Sequence, residues 1–222
     1  RSTYKLLGGS IGFYGSTLNT RQYATKGYLE KLIAQVFTGR ERFEPGNPQE
    51  GYSPSPQERQ SWLQISYMKE AYHTMGPKFT LGWMAEALYS SKNFSENYTA
   101  TMMQAGEFAP TPHSKLMYNE AFRANQYVAA GIKPIYVLND MFQFRTEFYG
   151  FTPIFPIKKN ALNKAYYGKA FSRFEYMGEV SVICHLPFGA ISAYVNHYSS
   201  PRREWNVGMT IGWQLFNYRF VE

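Results

Sequence analysis

The sequence predicts an all-β chain: an antiparallel transmembrane β-barrel, in the form of its C-terminal part, about 8–9 strands of a larger barrel. Three observations point there. Apolar residues recur at every second position in one segment after another. Those segments run to roughly 10–16 residues, whereas strands of water-soluble proteins usually run about 5–6. Tyr, Phe and Trp together make up 18% of the 222 residues, more than a soluble core requires.

Taken in order, "YKLLGGSIGFYG" and "YLEKLIAQVFTG" read as strands with blurred alternation. In "WLQISYMKEAY", Leu63, Ile65 and Tyr67 oppose Gln64, Ser66 and Glu70. In "KFTLGWMAEALY", Phe79, Leu81, Trp83, Ala85, Ala87 and Tyr89 share one face, and Lys78, Thr80, Gly82 and Glu86 the other. "NQYVAAGIKPIYV" is again blurred. "MFQFRTEFYGF" sets Phe142, Phe144, Thr146 and Phe148 against Gln143, Arg145 and Glu147. "FSRFEYMGEVSVICHL" sets Phe174, Tyr176, Val180, Val182 and Cys184 against Arg173, Glu175, Glu179, Ser181 and His185. "AISAYVNHY" sets Ile191, Ala193 and Val195 against Ser192, Tyr194 and Asn196. The last segment carries Trp205, Val207, Met209, Ile211, Trp213 and Leu215 on one side, with small or polar residues between them. Period two is the β signal, and the total is about nine strands. An odd number suggests part of a larger barrel, since single-chain bacterial barrels are even.

The connections alternate in length. "TMGPK", "LND" and "LPFG" are tight turns, while 41–57, 91–123 and 155–170 are long. Short turns at one end and long loops at the other is the asymmetry of outer-membrane barrels. The whole of 1–222 then reads as one domain. Its long loop, 91–123, is extracellular or folded into the lumen, with "YTATMMQAG" as a short helix.

The charged face decides orientation. An unpaired ion in a dry core costs several kcal/mol, so Lys78, Glu86, Gln143, Arg145, Glu147, Arg173, Glu175 and Glu179 are expected to line the lumen. Trp83, Phe144, Phe148, Val180, Val182, Ile191, Val207, Ile211 and Trp213 are then expected to face lipid. Tyr89, Phe151, Phe171, Trp205 and Phe216 fall near strand ends, where aromatic girdles sit.

Composition excludes some classes. Mean hydropathy is negative, −0.42, and no window holds the roughly 18 apolar residues of a membrane-spanning helix. The net charge is +7, but the basic residues are scattered, with "PRRE" and "IKKN" the only doublets. Nucleic acid is therefore not an expected partner; membrane lipids are, and a homo-oligomer is compatible. Cys184 is the single cysteine, so no internal disulfide forms and it reads as a small hydrophobe. The chain starts at Arg1 without a signal peptide, which an exported protein would have shed.

Chemistry is sparse. "GGSIG" at 8–12 satisfies G-x-S-x-G, with Ser10 as nucleophile, but the elbow needs a following helix and β-type residues follow instead. "PTPHS" sets His113 beside Ser114 in the long loop, a pair that a lipid-modifying barrel could use. Neighbours in an extended loop point apart, so a rigid proline-flanked segment serves as well. Asp140, the lone aspartate, lies in a tight turn. The four histidines, His73, His113, His185 and His197, have no metal-ligand spacing, and no cofactor is expected.

"GEFAPTPHSKLMYNEAFRANQYVAAGIKPIYVLNDMFQFRTEFYGFTPIF" and "YYGKAFSRFEYMGEVSVICHLPFGAISAYVNHY" resemble the C-terminal outer-membrane barrel of patatin-like proteins. The hairpin "LPFGAISAYVNHY" resembles the one before the last strand of the surface-antigen superfamily, which includes the barrel insertase. The resemblance covers most of 105–222. It implies a barrel of about 16 strands behind a patatin-type lipid acyl hydrolase domain, in the bacterial outer membrane. It also implies that Trp213, Leu215 and Phe216 form the signal read by the barrel-insertion machinery. The hydrolase's serine elbow and Asp-Gly pair are not carried over, and "FRAN" at 122–125 stands where the superfamily has a VRGF/Y tip. The expected function is an anchor or pore, non-catalytic in itself. The alternatives are a barrel-embedded lipid-modifying enzyme using a loop His and Ser, and a soluble β-sandwich binding module.

Overall fold

The computed structural model describes residues 2–43, 58–95, 97–187, 189–200 and 205–212. Nine strands form one antiparallel sheet: β1 (Ser2–Ser16), β2 (Gly27–Phe43), β3 (Glu58–Thr74), β4 (Phe79–Ser90), β7 (Gln126–Val137), β8 (Phe142–Pro153), β11 (Glu175–Leu186), β12 (Gly189–Tyr198) and β13 (Trp205–Gly212). Each pairs with the next in that order, and β1 and β13 are the edges among the described residues. Two small pairs lie in the long connections: β5 (Gly106–Glu107) with β6 (Arg123–Ala124), and β9 (Ile157–Lys159) with β10 (Ala165–Tyr167). Among the described residues the chain is all-β apart from α1 (Tyr98–Gln104) and two 3₁₀ turns.

Strand length follows from unbroken alternation. β4, β7, β8 and β11 each hold 12 residues. At about 3.3 Å per residue such a strand is about 40 Å long, or about 28 Å along an axis it crosses at 45°. Tight links join β3 to β4 at 75–78, β7 to β8 at 138–141 and β11 to β12 between Leu186 and Gly189. The 17–26 connection shares their end of the sheet. The long connections leave the other end and differ somewhat from expectation. β2 runs on to Phe43, the 91–123 loop extends to Asn125, and the third long loop spans 154–174 and contains the β9–β10 hairpin.

α1 starts where Asn97 caps it, its side chain accepting from the Ala100 amide at 2.7 Å. Seven residues are too few to be helical alone. Packing holds it: Met102 and Ala105 are buried with Ile157 of β9, against Phe94 and Tyr98.

The sheet is curled. The 17–26 loop reaches across to the far strands, where the Tyr23 hydroxyl lies 3.0 Å from Ser192 Oγ on β12. In a flat sheet β2 and β12 would be about 29 Å apart, at about 4.8 Å per strand step. The concave side holds two fillings. Toward the long-loop end an apolar core joins Phe108 and Phe122 of the 91–125 segment to Tyr127, Tyr149, Phe151 and Met177 of the wall. Toward mid-sheet the filling is polar.

Candidate functional site

Alternation on the wall strands gives an inverted burial pattern. On β8, Gln143, Arg145 and Glu147 are 2–5% exposed, while Phe144 and Phe148 are 45% and 53% exposed. On β11, Glu175, Glu179 and Ser181 are buried, while Val180 and Val182 are exposed. Polar residues face the concave side and apolar residues face away from it.

Register makes this concave wall demanding. Glu147 pairs directly with Glu179 across β8 and β11. Two buried carboxylates side by side repel each other, and each requires its own partner. Glu147 has Arg145, whose guanidinium approaches to 2.8 Å, and the Tyr149 hydroxyl, which donates at 2.9 Å. Lys133 of β7 reaches over β4 to Glu70 of β3 at 3.1 Å. Arg145 also donates to the carbonyl of Ala24, and Gln143 to that of Tyr23, which fastens the 17–26 loop to the wall.

Glu179 is served by the other loop. His113 Nδ1 lies 2.7 Å from Glu179 Oε1, and Thr111 donates to Oε2 at 3.0 Å. His113 Nε2 faces Ser192 Oγ at 2.9 Å. The imidazole stacks on the Tyr194 ring, with centroids 3.7 Å apart and planes 11° apart. Tyr194 can lie flat there because its strand partner is Gly208: a Cβ at that position would fall 2.5 Å from the tyrosine ring. Ser192 Oγ also meets Thr210 of β13 at 2.5 Å. Burial raises the pKa of the Tyr23 phenol, so it remains a donor.

Gln143, Arg145, Glu147, Glu175 and Glu179 lie on the concave wall. Glu86 lies there too, accepting from Tyr127 at 2.5 Å. Lys78 does not: it is exposed in the 75–78 turn, one residue before β4, where the alternation has already stopped. Arg173 precedes β11, pairs with Glu175 at 2.9 Å and donates to the Ala121 carbonyl, so it binds the loop rather than lining the wall. Trp83 and Ile191 are half-buried, and Val207 and Ile211 are exposed on the convex side. Trp213, Leu215 and Phe216 lie outside the described residues, so the insertion signal does too. Cys184 is half-buried rather than sealed.

Phe151 corrects the aromatic-girdle expectation. It shares the parity of Arg145 and Glu147, is 0% exposed and belongs to the concave core. Tyr89, Phe171 and Trp205 are exposed. Ser10 is exposed in mid-β1 opposite Gln35, with the strand continuing to Ser16, so it occupies no strand-to-helix elbow. Ser114 is turned away from His113. Its hydroxyl donates to the Thr111 carbonyl at 2.9 Å in a local turn. The serine that meets His113 is Ser192, which the alternation already placed on the polar side of β12. Tyr23 had no sequence signal: it sits in an irregular loop with φ of 56°.

No group of three metal-ligating side chains occurs among the described residues. No helix there is long and apolar enough to cross a membrane, which says nothing of strands. Compared with family models, with curated proteins and with solved structures, the chain matches none.

Proposed function

We propose that this chain is the wall of a plugged transmembrane β-barrel and serves as an outer-membrane anchor. The observation that carries the reading is the inverted burial on β8 and β11. In water, each large side chain such as Phe144, Phe148, Val180 or Val182 left exposed forgoes about 1.5–3 kcal/mol of burial. Against hydrocarbon that loss vanishes, and the buried ion pairs are the ones that strands of this length would enclose. A soluble sandwich would bury the apolar face under a second sheet; among the described residues the convex face is uncovered.

The filled concave side favours an anchor over an open pore. The 91–125 and 17–26 segments meet there through His113 and Tyr23, 3.2 Å apart. Sheet edges are not tolerated in hydrocarbon, so in the bilayer β1 and β13 each meet another strand. The resemblance of 105–222 to the barrel of patatin-like proteins supports the attached activity, a lipid acyl hydrolase, and the outer-membrane location.

Single-tryptophan forms in vesicles of brominated phosphatidylcholine test the reading. Trp205 and Trp83 should be quenched, whereas Trp62, which is 8% exposed, should not. A chain that stays soluble without detergent, with Trp205 unquenched, overturns it.

A further inference from the structure

The polar filling contains an arrangement that holding a plug does not require. Glu179, His113 and Ser192 come from β11, the long loop and β12, and they form a continuous chain: 2.7 Å from carboxylate to Nδ1, then 2.9 Å from Nε2 to Oγ. The geometry points to a serine nucleophile centre, with Ser192 as nucleophile, His113 as general base and Glu179 as the positioning carboxylate. It acts on short-chain acyl esters.

The roles follow from the hydrogen bonds. A carboxylate on Nδ1 fixes the neutral imidazole as the Nδ1–H tautomer. The Nε2 lone pair then faces the serine, which donates to it. Glu179 is itself held, since Thr111 donates to its other oxygen at 3.0 Å and Asn196 at 3.4 Å. The imidazole plane is fixed by Tyr194. Nucleophile, base and orienting group therefore each have their partner.

Two further hydroxyls converge on Ser192 Oγ, Tyr23 at 3.0 Å and Thr210 at 2.5 Å. When Oγ bonds to a carbonyl carbon these donors turn to the carbonyl oxygen, where negative charge develops. The reaction balances with water alone. Oγ attacks the ester carbon while its proton moves to Nε2. The C–O bond breaks, and the alcohol leaves with that proton. Water then adds to the acyl-serine and releases the acid.

Access sets the substrate class. His113 and Ser192 are 0% and 1% exposed, whereas Tyr23, which covers them, is half-exposed on the 17–26 loop. Its φ of 56° is a conformation that a tyrosine holds at a cost. Swinging that ring aside opens a gap one aromatic ring wide, from the short-turn end. A short acyl group passes such a gap; a diacyl lipid does not. None of these contacts involves the convex face.

The test is active-site labelling of the full chain, in detergent micelles or, where it is soluble without them, in buffer, with folding judged by cooperative loss of the β-sheet circular-dichroism signal on heating. A small alkyl fluorophosphonate should attach to the peptide containing Ser192, as mapped by mass spectrometry. p-Nitrophenyl acetate should be hydrolysed with a burst. His113→Ala should slow labelling about 100-fold or more, and Tyr23→Ala should speed it by opening the gap. Glu179→Gln should lower kcat for p-nitrophenyl acetate with KM little changed, a split that mere loss of packing would not produce. Folded wild type and Tyr23→Ala that both remain unlabelled overturn the proposal, as does label mapped to any other serine. If the His113 and Glu179 variants fail to fold, the mapped site on the wild type decides alone.

Discussion

β8 and β1 are long strands of one sheet, β8 cleanly alternating and β1 only loosely so, and the sheet uses them differently. On β8 every second side chain is buried, and the exposed ones are mainly apolar. On β1 both parities are exposed: Leu7 and Ile11 at 75% and 78% on one face, Ser10 and Tyr14 on the other. A place in the sheet alone therefore buries nothing. Burial on β8 comes from what stands opposite its polar face, the 17–26 and 91–125 segments. Those segments are anchored to Arg145, Gln143 and Glu179; on β1 the 91–125 segment meets Tyr4, near the strand's start, through Ser95.

The sharpest break in this comparison is a paired deletion. Arg145→Ala removes the guanidinium paired with buried Glu147, which still faces Glu179, and frees the Ala24 carbonyl. Its expected cost is about 3–5 kcal/mol. Ser10→Ala on β1 should cost within about 0.5 kcal/mol, as surface changes do. Denaturant unfolding in micelles measures both; equal costs would mean that the plug does not fill the space above β8.

Much of this difference was legible in the sequence, and the reason is parity. Period two by itself places Gln143, Arg145 and Glu147 on one face and Phe144 and Phe148 on the other. It equally places Phe151 with the arginine, so for that residue parity outweighs position along the strand. Alternation puts Ser192 on the polar side of β12, but nothing local ties it to His113, 79 residues away. Long-range meetings through a loop leave no periodic trace. Lys78 departs for the opposite reason: it has the right parity but lies one residue outside β4, where the strand has become a turn.

A smaller effect sharpens the comparison on the convex side. Phe148→Arg places a charge at mid-β8 and Ile11→Arg places one at mid-β1, both on the face away from the plug. Against hydrocarbon each should cost about 2–4 kcal/mol. Unfolding from lipid vesicles reads both. Near-zero cost at both positions would return the convex face to water. A cost at Phe148 alone would keep β1 out of the bilayer, despite its pairing with β2 along Ser2–Ser16.

The smallest effect comes from Lys92, where the 91–125 segment leaves β4 and starts toward the concave side. Its ammonium lies 4.6 Å from the centre of the Trp62 ring and donates to Gln104. Burial lowers its pKa to about 8 from 10.5, while the Glu41 carboxylate pulls the other way. The folded chain therefore releases a proton at a pH where the unfolded chain still binds it. The linkage sign is fixed: below about pH 8 both states are protonated and the penalty for burying the charge is constant. Between about pH 8 and 10.5 the penalty fades, and this group's contribution to stability rises with pH. Lys92→Met removes the titration and keeps the stem on Trp62. Tyrosines also ionise at the upper end of this range, so the informative quantity is wild-type minus variant unfolding free energy at pH 7.5, 9 and 10. That difference should climb with pH. A flat difference would place the Lys92 ammonium in water and detach the start of the plug from the β3 wall that Trp62 belongs to.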